Sequence, residues 1–231
     1  MMRTHYVQEL ESVRQNLIQM GDATLSLLAE ALRAVTDPNP GLSARASELE
    51  AQTDHQDRLI HDQCLNLITL QAPVASDARL VTGVLDAIVD LELIGDYAYE
   101  IVTLSSTMHG RPPSQVSSQI SALGAKIKEC LSGAIESWRT LDRTQALLVR
   151  PREVPLRAEC GALYEKLSQL TSASGGATYV DLMLICRHLE RILRHAACIG
   201  DQAADAAPLA QTEYRLKNVS EMSGVKSLLG E

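Results

Sequence analysis

Residues 91–101 read LELIGDYAYEI, and residues 189–199 read LERILRHAACI. Placed one over the other, they share Leu91/Leu189, Glu92/Glu190, Ile94/Ile192, Ala98/Ala196 and Ile101/Ile199. Each stretch belongs to a longer apolar seam. The first runs Leu80, Val84, Ala87, Leu91, Ile94, Ala98, Ile101; the second runs Leu182, Ile185, Leu189, Ile192, Ala196, Ile199, Ala203. Steps of three and four mark one face of a helix packed in a bundle. Two such seams at a fixed offset point to an internal duplication.

Working outward, the same periodicity covers the chain. A first helix is expected over about 5–36, with Val13, Leu17, Met20, Leu27 and Leu28 on its apolar face, and DPNPGLS (37–43) ends it. A second is expected over 42–70, before the turn QAPVASD (71–77), where Ser76 or Asp77 would cap a third helix over 76–107. HGRPPSQ (109–115) is the strongest linker signal. Helices over 117–148, from the break RPREVP (150–155) to about 171, and over 178–206 follow. The fold class is therefore all-α: two pseudo-symmetric antiparallel three-helix bundles over 1–108 and 117–207, a linker at 109–116, and a loose tail at 208–231.

Composition supports this reading. The chain has 231 residues, 45% of them hydrophobic but only 3% aromatic, with no Phe and one Trp. Such a core suits interlocking helices better than sheets, which favour aromatic and β-branched residues. The net charge of −8 lacks the basic footprint of a general nucleic-acid binder. No apolar run reaches the length of a membrane span, and MMRTHYVQELESV lacks the apolar core of a secretory signal. Five cysteines without C-x-x-C spacing imply a reduced, cytoplasmic protein in which thiols act as small apolar groups. Trp138 reads as a packing or interface anchor, and His188 and His195, seven apart, as structural.

The candidate chemistry lies opposite the first seam. Glu92, Asp96 and Glu100 are spaced by four and share a helix face. Like charges at this spacing repel. Either free solvation or a cation bridging the oxygens relieves them, and hard or borderline cations suit such a row. In the second helix Glu50 and Asp54 repeat the spacing, as do Asp57 and His61. Leu85, Val89 and Leu93 project among the carboxylates of the third helix and call for cover by another helix or another chain. No Glu-x-x-His, H-E-x-x-H, P-loop or G-x-G-x-x-G motif is present, and no base–nucleophile pair is apparent, so no enzyme is expected.

At these residues the sequence resembles the PhoU family of phosphate-uptake regulators. LELIGDYAYEIV is similar to the family signature L-E-R-I-G-D-H-A-x-N-I-A, and LERILRHAACIGD to its second copy. LQAPVASDARL resembles the L-Q-x-P-V-A-S-D-x-R segment ahead of the first signature, and ELESVRQNLIQMGDATLSLLAEAL the opening helix. The resemblance implies a cytoplasmic, non-enzymatic negative regulator or adapter of phosphate uptake and phosphate-starvation signalling. It implies contact with a phosphate ABC transporter subunit and a sensor histidine kinase, and it favours a homodimer. Neither nucleic-acid binding nor membrane insertion is expected. It further implies iron, zinc, manganese or magnesium on E-x-x-x-D faces: Glu92 and Asp96 in the first repeat, with Glu50 and Asp54 as the second-helix counterpart. Asp57, His61, Glu100 and Glu190 are further candidate ligands. Regulation of a different transporter or a storage pathway, or a metal-binding helical protein, are the alternatives.

The second repeat departs from the pattern. At the 98-residue offset, Arg194 stands opposite Asp96, Arg152 opposite Asp54, Leu148 opposite Glu50 and Cys198 opposite Glu100, while Glu190 matches Glu92. Arginine is always charged, so a second metal site is expected to be lost, with Arg194 pairing to Glu190. The alternative is a shifted site rebuilt from Asp201 and Asp205.

Overall fold

The computed structural model describes residues 2–208 except Pro38, Val74, His109 and Gly175. Every element among them is helical: α1 (Met2–Thr36), α2 (Pro40–Gln71), α3 (Ser76–Thr107), α4 (Ser114–Thr140), α5 (Arg143–Leu147), α6 (Arg150–Ser174) and α7 (Ala177–Ala206). The tail expected to be loose lies almost wholly outside the described residues.

Two three-helix units form, α1–α2–α3 and α4–α6–α7. They share one core. α3 packs against α7 more extensively than any other helix pair, and α1 also lies along α4, so four helices form the centre while α2 and α6 flank it. Both seams are buried throughout their centres: Leu91, Ile94, Ala98 and Ile101 face inward with Leu189, Ile192, Ala196 and Ile199, each 1% exposed or less. Full burial of a Leu or Ile side chain is worth about 1.5–3 kcal/mol, so this seam is the chief source of cohesion between the units. Ala87, Ala98, Ala196 and Ala203 are the small residues of the two seams, and all four are fully buried. Trp138 is buried where α4 meets α7, and its Nε1 donates to the Ile199 carbonyl at 3.2 Å.

The helix boundaries depart from the sequence reading in four places. α2 starts at Pro40 because Asn39 caps it, its Oδ1 accepting from the Gly41 and Leu42 amides at 3.0 and 3.3 Å, and proline suits the first turn. Neither Ser76 nor Asp77 caps α3. The N-cap is Ala75, at φ 49°, and the Asp77 carboxylate instead accepts from the Tyr6 hydroxyl (3.1 Å) and the Ser76 hydroxyl (3.3 Å). The fourth helix stops at Thr140, where Leu141 turns into the left-handed region, and Asp142 then caps the short α5. RPREVP is not a break. It is the opening of α6: Pro151 falls in the first turn, where the amides have no intrahelical acceptor anyway, and the helix runs on through Pro155, which forgoes one intrahelical hydrogen bond.

The repeat has two offsets. α3 and α7 register at 98 positions, as their seams require. The buried seam of α2, however, matches that running into α6 at 103 positions: Ala46 with Val149, Thr53 with Leu156, Ile60 with Leu163, Cys64 with Leu167. The connection from α6 to α7 is two residues shorter than that from α2 to α3, and α7 starts three register positions later than α3, which together absorb the difference of five. Leu148 and Arg152 are therefore not the counterparts of Glu50 and Asp54. Those positions are held by Glu153 and Arg157.

Candidate functional site

α2 and α3 run antiparallel and present their carboxylates along a shared groove. Glu50, Asp54, Asp57 and Glu92 are half-buried there, and Asp96 and Glu100 are exposed at its edge. The helix seams dictate this placement: Leu49, Thr53 and Ile60 turn inward on α2, and Leu91, Ile94 and Ala98 on α3, which leaves the acidic positions flanking the contact line.

The groups act on one another. Burial raises the Glu92 pKa above the ordinary carboxylate range, and the charges of Asp96, Asp57 and Asp54 raise it further. Glu50 is raised by burial, then by Asp54 and Asp96. Asp96 is raised by burial, then by Asp54 and Glu100. Asp57 is raised by burial and by Asp54, against the opposing pull of His61 and Arg58. Asp54 thus couples to every other member except Glu100. Its nearest cation is the exposed Arg58, whose Nη2 is 3.7 Å away.

The carboxylates share a groove without closing on a point. Among the described residues, no three His, Cys, Asp or Glu side chains converge closely enough to hold an ion. His61 is exposed, and its Nδ1 stands 3.9 Å from Asp62. Burial lowers the His188 pKa, and the charge of Glu100 opposes that fall across to α7. Glu190 lies on α7, away from the groove, and pairs with Arg187 at 2.7 Å, not with Arg194. The shifted site does not form either: Asp201 is bridged by Arg150, and Asp205 lies 3.9 Å from Arg143. Donor chemistry suits a hard cation, but a bound ion would have to draw the side chains together.

Three features escaped the sequence reading. The first is a polar clasp between the units: Asp90 accepts from His195 Nδ1 at 2.7 Å and from Gln202 Nε2 at 2.6 Å. The carboxylate can only accept, so Nδ1 carries the proton. Tyr97 stacks on His188 with centroids 5.6 Å apart and lies 5.9 Å from His195, so both histidines serve the α3–α7 interface. The second is Arg14, whose Nη1 caps the end of α4 at the Trp138 and Arg139 carbonyls (3.0 and 2.7 Å). The third is a cluster of arginines on α6 and α7, signalled only by the spacing of Arg187, Arg191 and Arg194. Cys64, Cys160 and Cys186 are buried, which pushes their thiols up to about 12 and makes them packing groups.

A family model for the PhoU domain matches residues 17–104 and again 120–203. The chain belongs to the PhoU family. It is 28% identical over 203 residues to a phosphate-specific transport system accessory protein PhoU homolog of Synechocystis, covering 87% of this chain and 91% of that one. A Pseudomonas aeruginosa homolog of the same description is 26% identical, covering 86% of this chain and 85% of that protein. The crystal structure of PhoU from Pseudomonas aeruginosa superposes with a TM-score of 0.83 at 23% identity, over 87% of this chain and 98% of that one. That of the phosphate transport system regulatory protein PhoU from Streptococcus pneumoniae gives 0.80 at 18% identity, over 87% and 96%. The resemblance seen in the two signatures is thus a family relationship, and the paired three-helix units are its fold. No helix among the described residues is long and apolar enough to cross a membrane.

Proposed function

We propose that this PhoU-family protein is an accessory regulator of phosphate transport that works as an adapter. The observation that supports it most is the two-fold match to the PhoU domain, joined to relatives described as phosphate-specific transport system accessory proteins. The proposed partners are a phosphate ABC transporter subunit and a sensor histidine kinase at the inner face of the membrane. Long helices suit an adapter, because α2 and α6 each lie on the outside of the molecule and present a continuous flank to a partner. A homodimer through the exposed parts of these flanks is part of the proposal.

The α2–α3 groove is the proposed regulatory element. Its carboxylates repel one another, so a divalent cation (iron, zinc, manganese or magnesium) bound by Glu50, Asp54, Glu92 and Asp96 would relieve that repulsion and reset the charge shown to a partner. A genomic deletion tests the adapter reading. Phosphate-starvation promoters should fire in phosphate-replete medium, and this chain should silence them again when supplied in trans. Unchanged promoter activity in the deletion would overturn the reading. So would failure of the tagged chain to recover transporter or kinase from replete cells.

A second reading, control of a different transporter or a storage pathway, draws on one observation: the second repeat replaces carboxylates with arginines. A phosphate-independent phenotype of the deletion would favour it.

A further inference from the structure

The groove of the second unit that corresponds to the acidic one carries the opposite charge. Arg157 stands where the first unit has Asp54, Arg194 where it has Asp96, and Arg187 and Arg191 where it has Val89 and Leu93. Arg187, Arg191 and Arg194 follow one another at steps of four and three, so they share a face of α7. With Arg157 of α6, Glu190 and Tyr97, they line an open depression of about 610 Å³. Four guanidinium groups against one lining carboxylate is a concentrated positive charge in a chain whose net charge is −8.

Three of the four groups are held by neighbours, and two are left without an ion pair among the described residues. Arg187 lies over the Tyr164 ring at 4.0 Å while it binds Glu190. Arg191 lies 5.3 Å over Tyr97. Arg157 reaches Glu153 at 3.5 Å. Among the described residues, neither Arg191 nor Arg194 has a hydrogen bond or ion pair. Guanidinium groups with free N–H forks, as at Arg191 and Arg194, suit bidentate recognition of phosphoryl oxygens. From Arg187 to Arg194 the helix rises about 10 Å, more than a single phosphoryl group can bridge.

We propose that this depression binds an anion carrying several linked phosphoryl groups. The proposal does not rest on the adapter reading. Isothermal titration of the full chain with sodium tripolyphosphate tests it, with orthophosphate and sulfate titrated in parallel. The expected result is saturable binding of tripolyphosphate at one site per chain, at least tenfold tighter than orthophosphate. Arg191→Ala/Arg194→Ala should weaken it at least tenfold. Arg191→Lys/Arg194→Lys should weaken it several-fold, since the charge stays but the fork is lost. Arg33→Ala/Arg45→Ala, which removes two exposed charges elsewhere, should leave it unchanged.

Circular dichroism melting checks that each variant folds. If the double alanine variant melts early, Arg194→Ala carries the test, because its side chain holds no internal partner. Absence of saturable binding overturns the proposal, and so does equal affinity for orthophosphate. An equal loss in the Arg33/Arg45 variant overturns it in favour of general charge attraction. A sedimentation coefficient that changes in the double alanine variant, without any tripolyphosphate binding in the parent, overturns it in favour of an acidic protein surface.

Discussion

Single side chains divide here into those that hold the helices together and those that oppose them. Asp54 opposes. It adds charge to Glu50, Asp57, Glu92 and Asp96, whose pKa values are all raised in the folded chain. A carboxyl whose folded pKa exceeds its unfolded value, near about 4, binds protons more tightly when folded. Its penalty is absent below the unfolded pKa and sets in as pH rises through the folded pKa. Asp54→Asn should therefore raise the melting temperature at about pH 8 in chelator and leave it almost unchanged at about pH 4. Manganese should narrow the difference between variant and parent at the higher pH; a variant that melts below the parent at both pH values would refute the strain. His195 is of the opposite kind. His195→Ala removes one of two donors to Asp90 at the α3–α7 contact and should cost about 1–2 kcal/mol in urea unfolding. The acidic row was legible in the sequence because four-residue spacing survives translation into a helix face. The clasp was not, because Asp90 and His195 lie 105 positions apart and meet only through the packing of two seams.

Helices show where local signals end and tertiary packing takes over. Seam periodicity located all six long helices, since the burial that creates the pattern also stabilises the helix. Ends were less legible. RPREVP looks like a break by composition, yet Pro151 falls in the first turn, α6 continues through Pro155, and the true break lies in the α5 region. The α2–α3 turn holds two alanines, Ala72 (φ 45°) and Ala75 (φ 49°), in a conformation L-residues avoid. Ala72→Gly should stabilise the chain by about 1 kcal/mol, read as a higher urea midpoint at constant slope. Gly200 on α7 is the converse. A Cβ there would stand 2.8 Å from Val149 Cβ, which sits close to its own backbone and cannot swing aside. Gly200→Ala should thus destabilise by about 1–3 kcal/mol through overpacking, seen as a lower urea midpoint.

At the scale of the whole molecule, duplication was legible, but the manner in which the copies join was not. Two signatures suggest two bundles in series. Instead α3 and α7 bury their seams in one another, so each unit completes the core of the other. Removing either would expose an apolar face far larger than a soluble monomer tolerates. Duplication also freed the two grooves to diverge, one acidic and one basic, while the shared core constrained the seams. The same geometry fixes how the chain should come apart. Trp138 belongs to the second unit, donates to Ile199 of α7, and has its ring edge 3.2 Å from the place a Cβ would occupy at Gly83 of α3. Its fluorescence therefore reports on the junction, while far-ultraviolet circular dichroism reports on all the helices. With one continuous core the two signals should follow a single transition with the same midpoint. Independent units would instead lose Trp138 burial at one temperature and the helices of α1–α3 at another. Two separated transitions would show that the α3–α7 seam contributes too little to couple the copies.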